Sequence, residues 1–187
     1  MTPAVKAGVE LGWIEDPGHL DRCLRVLRRA SLPNGAYSYN GSDPIPRSPA
    51  GESIDNVKGS LGRIQVCNWA RYSIGDPEVD LDRLRWGLDR FLEFHKFLDV
   101  ARMRPVPHEA YYANAGYFYM FAHYYACETI QLLPEDEREA YYAKVRPHLI
   151  KCQRKDGSSC DFLGSSYNVI AGTSYTALAL GLGIQRD

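Results

Sequence analysis

The chain has no excess of either charge. Its 187 residues include 22 Lys and Arg against 23 Asp and Glu, for a net charge of −1, and the two signs interleave along the sequence. No sustained positive stripe is left for a phosphate backbone or an anionic membrane, so nucleic acid is not an expected partner. The chain also lacks a long apolar run. Its most apolar segments, 111–127 and 169–184, are interrupted by Asn114, His123, Thr173 and several glycines, and both fall short of the roughly 20 residues needed to span a bilayer. Residues 1–13 carry Lys6 and Glu10 and have no continuous apolar core, unlike a secretory signal. The expectation is a chain that stays inside the cell or begins downstream of such a leader. The five cysteines (Cys23, Cys67, Cys127, Cys152 and Cys160) are odd in number and contain no C-x-x-C pair, which argues against a disulfide framework and for free thiols used in packing.

What remains is ordinary globular material, 45% hydrophobic and 24% charged, enough for one domain with a core. Its periodicity is helical. Leu20, Cys23, Leu24 and Leu27 form one apolar stripe, Leu84, Leu88, Phe91, Leu92 and His95 a second, and Tyr141, Val145, His148, Leu149 and Cys152 a third. Each follows the i, i+3, i+4, i+7 spacing of a helix with one buried and one wet face. Between and after them, 59–74, 111–132 and 167–183 are apolar on most sides and rich in Gly, Ala, Ser, Thr and Tyr, as expected of helices packed on two or three sides. Outer helices thus alternate with inner ones.

The turns repeat as well. Pro33-Asn34-Gly35, Pro105-Val106-Pro107 and Asp156-Gly157-Ser158 each stand where an outer helix gives way to an inner one. Asn34-Gly35 and Asp156-Gly157 lie two units of about sixty residues apart, which makes the repeat threefold. The predicted fold is all-α: an α/α toroid-like array of about three antiparallel helical hairpins, a partial α/α barrel occupying 1–187 as one domain. The segment 32–56 is predicted to be a long loop over one end of the ring. Residues 5–13 read as the end of an inner helix without its partner, so the chain is expected to belong to a longer protein. An open ring would leave apolar surface uncovered, and a homo-oligomer or a flanking domain of the same protein is the expected remedy.

These segments carry a family likeness. L-I-K-C-Q-R-K-D-G-S-S, from Leu149, followed by Y-N-V-I-A-G-T-S-Y-T-A-L-A-L-G-L, from Tyr167, resembles the prenyltransferase and squalene oxidase repeat of the α/α toroids, typified by terpenoid cyclases and protein prenyltransferases. Residues 23–72, with N-G-A-Y-S-Y and G-S-L-G-R-I-Q-V-C, look like a second copy. The Tyr-rich run from His108 to Cys127 is similar to the inner helix of cyclase-like proteins of bacterial families. The resemblance implies a toroid, but its best-known catalytic equipment is absent. The Asp-x-Asp-Asp acid of class II cyclases has its nearest match in Asp80-Leu81-Asp82-Arg83, which ends in Arg and sits where a helix start needs carboxylates. The prenyltransferase zinc histidine is missing, since the matching stretch reads Ala171-Gly172-Thr173. Cys160 and Asp161 lack an evident third ligand, so neither a metal nor another cofactor is expected.

The richest polar cluster is His108, Glu109, Tyr111, Tyr112 and Asn114, at the mouth of the middle inner helix. A His and a carboxylate beside phenols suit acid or base chemistry or the grip of a polar head group; the same residues also suit a helix cap with packed tyrosines. Tyr37 and Tyr39 flank Ser38, and in an extended segment their rings point to one side. Arg63 and Arg71 lie on an inner helix, where a charge needs either a polar cavity or a partner, with Asp161 and Glu109 as candidates. His95 and His148 fall in outer stripes and read as core, and His123 as a buried, hydrogen-bonded histidine. Two functions follow. The first is a segment that binds an apolar or carbohydrate ligand on its inner face without complete catalytic machinery. The alternative is part of an enzyme, cyclase-like or an α/α-barrel glycosidase or polysaccharide lyase, whose other catalytic residues lie outside this chain.

Overall fold

The computed structural model describes residues 2–16, 18–40, 53–104, 108–163 and 166–184. Among them the fold is all-α, with eight helices: α1 (Thr2–Glu10), α2 (Gly18–Ala30), α3 (Leu61–Ser73), α4 (Leu81–Glu93), α5 (Lys96–Met103), α6 (Tyr119–Gln131), α7 (Glu135–Ile150) and α8 (Val169–Leu182). Single 3-10 turns, Val57–Gly59 and Gly116–Phe118, lead into α3 and α6. Successive contacts run α1 to α3, α3 to α6 and α6 to α8, while α2, α4 and α7 pack across that row.

Position in the rows explains composition. Helix α6 touches α3, α4, α7 and α8, so it has little wet surface and buries residues around its circumference, among them Met120, His123, Ala126 and Ile130. Where α3 crosses it, a Cβ added to Gly62 would lie only 3.0 Å from that of Ala122. The stripe on α4 buries Leu84, Leu88 and Phe91, and α7 buries Tyr142, Val145 and Leu149. Asp80 caps α4, its carboxylate accepting the Arg83 N–H at 2.8 Å. The aspartate at the head of the cyclase-like acidic run is thus used by the backbone.

Two expectations change. The middle inner segment, predicted over 111–132, is α-helical only from Tyr119, because Glu109 bends the chain before it. The Glu109 carboxylate accepts the backbone N–H groups of Tyr111, Tyr112 and Asn114 at 2.6, 2.6 and 3.1 Å, and Ala113 takes a left-handed φ of 55°. The outer helix ending in the His95 stripe breaks at Phe94-His95 and continues as α5. Pro105-Val106-Pro107 and residues 41–52 of the long loop lie outside the described residues.

The first and third turns are wired alike. Antiparallel bridges join Ser31 to Tyr37 and Gln153 to Ser159, and a similar one joins His108 to Ala115. Inside them, Leu32 N–H donates to Ala36 O and Arg154 N–H to Ser158 O, while the Asn34 and Asp156 side chains accept the N–H groups of Ala36 and Ser158. Gly35 and Gly157 occupy the same left-handed conformation, φ 87° and 84°. A hydroxyl then straddles each bridge residue. Ser60 Oγ accepts Tyr37 N–H and donates to Tyr37 O, and Thr173 Oγ1 accepts Ser159 N–H at 2.9 Å and lies 3.2 Å from Ser159 O, with Val169 O as its nearer acceptor at 2.7 Å.

Ionic contacts fasten the first hairpin. Arg71, 3% exposed, donates to Asp76 and Glu78 at 2.6 Å each, and Arg28 of α2 donates to Asp76 at 2.6 Å. Burial alone would raise the Asp76 pKa, but the hydrogen bonds from Arg28 and Arg71 outweigh it and hold the carboxyl down at about 2. At the other end of the row α8 is packed on one side only, and Ile170, Leu178 and Ile184 are 83%, 55% and 67% exposed. No described helix is long and apolar enough to cross a membrane.

Candidate functional site

A cavity of about 310 Å³ opens between α3, the 3-10 turn Gly116–Phe118 and α6. Its walls are apolar, contributed chiefly by Ile54, Val66, Leu98, Phe118, Phe121 and Ala122, and its polar groups are Tyr39, Arg63, His108 and Asn114. No carboxylate lines it among the described residues. The wall follows from sequence: small residues on α3 and α6 bring the two backbones together, and the turn clasped by Glu109 carries His108 and Asn114 to the rim.

The polar groups are largely engaged. Arg63 Nε donates to Tyr37 O at 3.0 Å and its Nη2 to Ile54 O at 2.5 Å, with Asp55 Oδ1 at 3.6 Å and the Tyr39 ring stacked 5.4 Å away. Burial lowers the Arg63 pKa, opposed by the Asp55 charge, and arginine stays cationic nonetheless. His108 Nδ1 lies 3.0 Å from Ala113 O, so this nitrogen carries the hydrogen. Asn114 Nδ2 donates to Lys58 O at 2.9 Å.

Of the nine residues singled out in the sequence, Tyr39, Arg63, His108 and Asn114 therefore meet at one cavity. The others do not join them. Tyr37 is buried and donates to Asn68 Oδ1 at 2.8 Å, so its ring does not share a side with the exposed Tyr39. Glu109 is the clasp described above. Tyr112 is buried, with the Lys58 ammonium 5.2 Å from its ring centre, and Tyr111 is exposed. Arg63 and Arg71 find neither Glu109 nor Asp161 but Asp55, Asp76 and Glu78. Asp161 is 3% exposed, and its Oδ1 has no hydrogen-bond partner. Burial, opposed by a hydrogen bond from Asn168, pushes its pKa up to about 6.

A second polar cluster is not apparent from sequence. His95, at the break between α4 and α5, His123 on α6 and His148 on α7 converge around Asp99, Lys151 and Tyr119. Each histidine sits on an apolar stripe and reads as core when taken alone. The one available signal is the i, i+4 spacing of His95 and Asp99. All five cysteines are unbridged.

Comparison with protein-family models, curated proteins and solved structures finds no match to this chain.

Proposed function

We propose that the chain is a segment of a terpenoid cyclase-like α/α toroid that binds a small apolar molecule between α3 and α6 and does not turn it over. One observation carries the reading: an apolar cavity whose rim bears Tyr39, Arg63 and His108 and whose lining holds no carboxylate among the described residues. At about 310 Å³ it stands at the lower end of small-molecule sites, which run from about 300 to 1,000 Å³. A glycosidase needs two carboxylates across its substrate, and a cyclase acid needs one that holds a proton. Neither requirement is met by the lining, and an apolar wall favours an isoprenoid-like ligand over a sugar. The alternation of the two helical rows supports the toroid part of the proposal.

Thermal unfolding in the presence of geraniol and of cellobiose tests this reading. Geraniol near 100 times its Kd is expected to raise Tm by roughly 5–10 °C, cellobiose to leave it unchanged, and Val66→Phe, which fills the cavity from α3, to abolish the geraniol shift. Stabilisation by cellobiose alone, by neither compound, or by geraniol equally in Val66→Phe would overturn it.

A further inference from the structure

The cluster at the junction of α4, α5, α6 and α7 is separate from the cavity. His95, Asp99 and His148 each offer one ligand atom there, and these atoms lie within 4.8 Å of one another. Hydrogen positions around them follow from the acceptors. His123 Nδ1 lies 2.7 Å from the Tyr119 carbonyl oxygen, which can only accept, so Nδ1 carries a hydrogen. His123 is fully buried, and a second proton would place an unpaired charge in the core. Its Nε2 is therefore a bare acceptor, and His95 Nε2, 2.8 Å away, must donate to it. That donation fixes His95 with Nδ1 turned toward Asp99 Oδ2, 3.2 Å distant.

Two lone-pair carriers at that separation hold a cation, either a proton on Nδ1 or a metal ion. The distance suits a metal. Zinc bonds of about 2.0–2.2 Å set neighbouring ligand atoms roughly 3.3 Å apart in a tetrahedron. The surrounding shell also suits a metal, because a ligating histidine is normally oriented by donation from its other nitrogen. Here that donation passes from His95 to His123 and on to Tyr119 O, while the Tyr119 hydroxyl donates to Asp99 Oδ1 at 3.0 Å. A cation already occupies the outer side. Lys151 Nζ lies 2.8 Å from Asp99 Oδ1 and 3.2 Å from His148 Nδ1, on a half-exposed side chain.

We propose that His95, Asp99 and His148 form a site for a divalent transition metal of the zinc class, with Lys151, which pairs with Asp99 and His148, as a competing cation that a bound metal displaces. Imidazole and carboxylate together select this class over calcium or magnesium. On binding, His95 supplies Nδ1, Asp99 one carboxylate oxygen and His148 a ring nitrogen. The His148 ring, now stacked 3.5 Å from that of His95 and tilted by 32°, turns out of the stack so that a ring nitrogen faces the metal. Withdrawal of Lys151 leaves the fourth position to water.

The test is titration of the full chain, freed of metal by chelation, with Co2+ and Zn2+ near neutral pH, read by the visible absorption of tetrahedral cobalt and by calorimetry. One equivalent is expected to bind. Asp99→Asn and His148→Ala, both at partly exposed positions, are expected to weaken binding by at least 100-fold. Tyr119→Phe, which removes the donor to Asp99, is expected to weaken it about tenfold. Lys151→Ala is expected to tighten it about fivefold or more, by removing a competing charge. This last variant separates a metal site from a purely structural cluster and does not depend on the others folding well. The proposal is overturned if wild type takes up no equivalent at micromolar metal, if His148→Ala and Asp99→Asn bind as wild type does, or if Lys151→Ala binds no more tightly. In the first of these cases the cation between His95 Nδ1 and Asp99 Oδ2 is a proton.

Discussion

In the turn after α2, Gly35 lies beneath Trp86 and Arg83 of α4, and a Cβ there would stand 2.5 Å from the Trp86 ring. In the turn after α7, Gly157 has the same left-handed conformation, the same bridge around it and the same hydroxyl on the residue two places on, yet a Cβ would meet nothing within 4 Å. Local sequence dictates the backbone in both places. The consequence of changing it depends on the neighbour, since Trp86 and Arg83 of α4 close over the first turn while the third stays open. The polar residues follow the same divide. Asp76, by the first hairpin, is held by two arginines, whereas Asp161, following the third, is buried with an oxygen left unpaired.

Substitutions can break this contrast, beginning with the strongest. Asp76→Ala leaves Arg71 buried without its main counter-charge and should cost about 3–5 kcal/mol in urea unfolding; a cost below 1 kcal/mol would mean that Glu78 alone suffices. Gly35→Ala combines a disfavoured φ with a clash against Trp86 and should cost about 2–4 kcal/mol. Asp161→Asn should act in the opposite direction. Because the folded pKa of about 6 lies above the ordinary value for an aspartate, the native state holds the proton that the unfolded chain releases, and stability falls as pH rises from about 4 through 6. The variant should thus be more stable than wild type by about 1–2 kcal/mol at pH 7.5, after allowance for solvent screening, with the gain vanishing near pH 4. A gain independent of pH would assign the effect to packing. Gly157→Ala, strained only in its backbone, should cost about 1 kcal/mol; equal costs at Gly35 and Gly157 would erase the distinction between the two turns.

The elements legible in the sequence were those set by short-range rules. The stripes on α4 and α7, the all-round apolar character of α6 and the glycines at 35 and 157 announce themselves through helical period and backbone preference. Part of the cavity was legible too, since His108 and Asn114 stood out at a helix mouth, Arg63 as a charge on an inner helix and Tyr39 as a loop aromatic. The rest depends on long-range placement. Nothing near Ala113 signals a left-handed residue, because the cause is the Glu109 carboxylate gathering three N–H groups. Arg71 finds its partner only five residues on, after the chain has turned. The three histidines come from separate segments and meet only once α4, α6 and α7 pack.

The exposed face of α8 bears on how the molecule opens. In a row of helices each element draws its stability from its intrinsic preference and from the neighbours it touches. α6 has four such neighbours, whereas α8 rests on α6 with a lesser contact to α7 and shows Ile170 and Leu178 to solvent. Opening is therefore graded along the chain. Amide hydrogens of α8 should exchange with deuterium through local fraying, well ahead of those of α6, whose exchange should require the whole core to come apart.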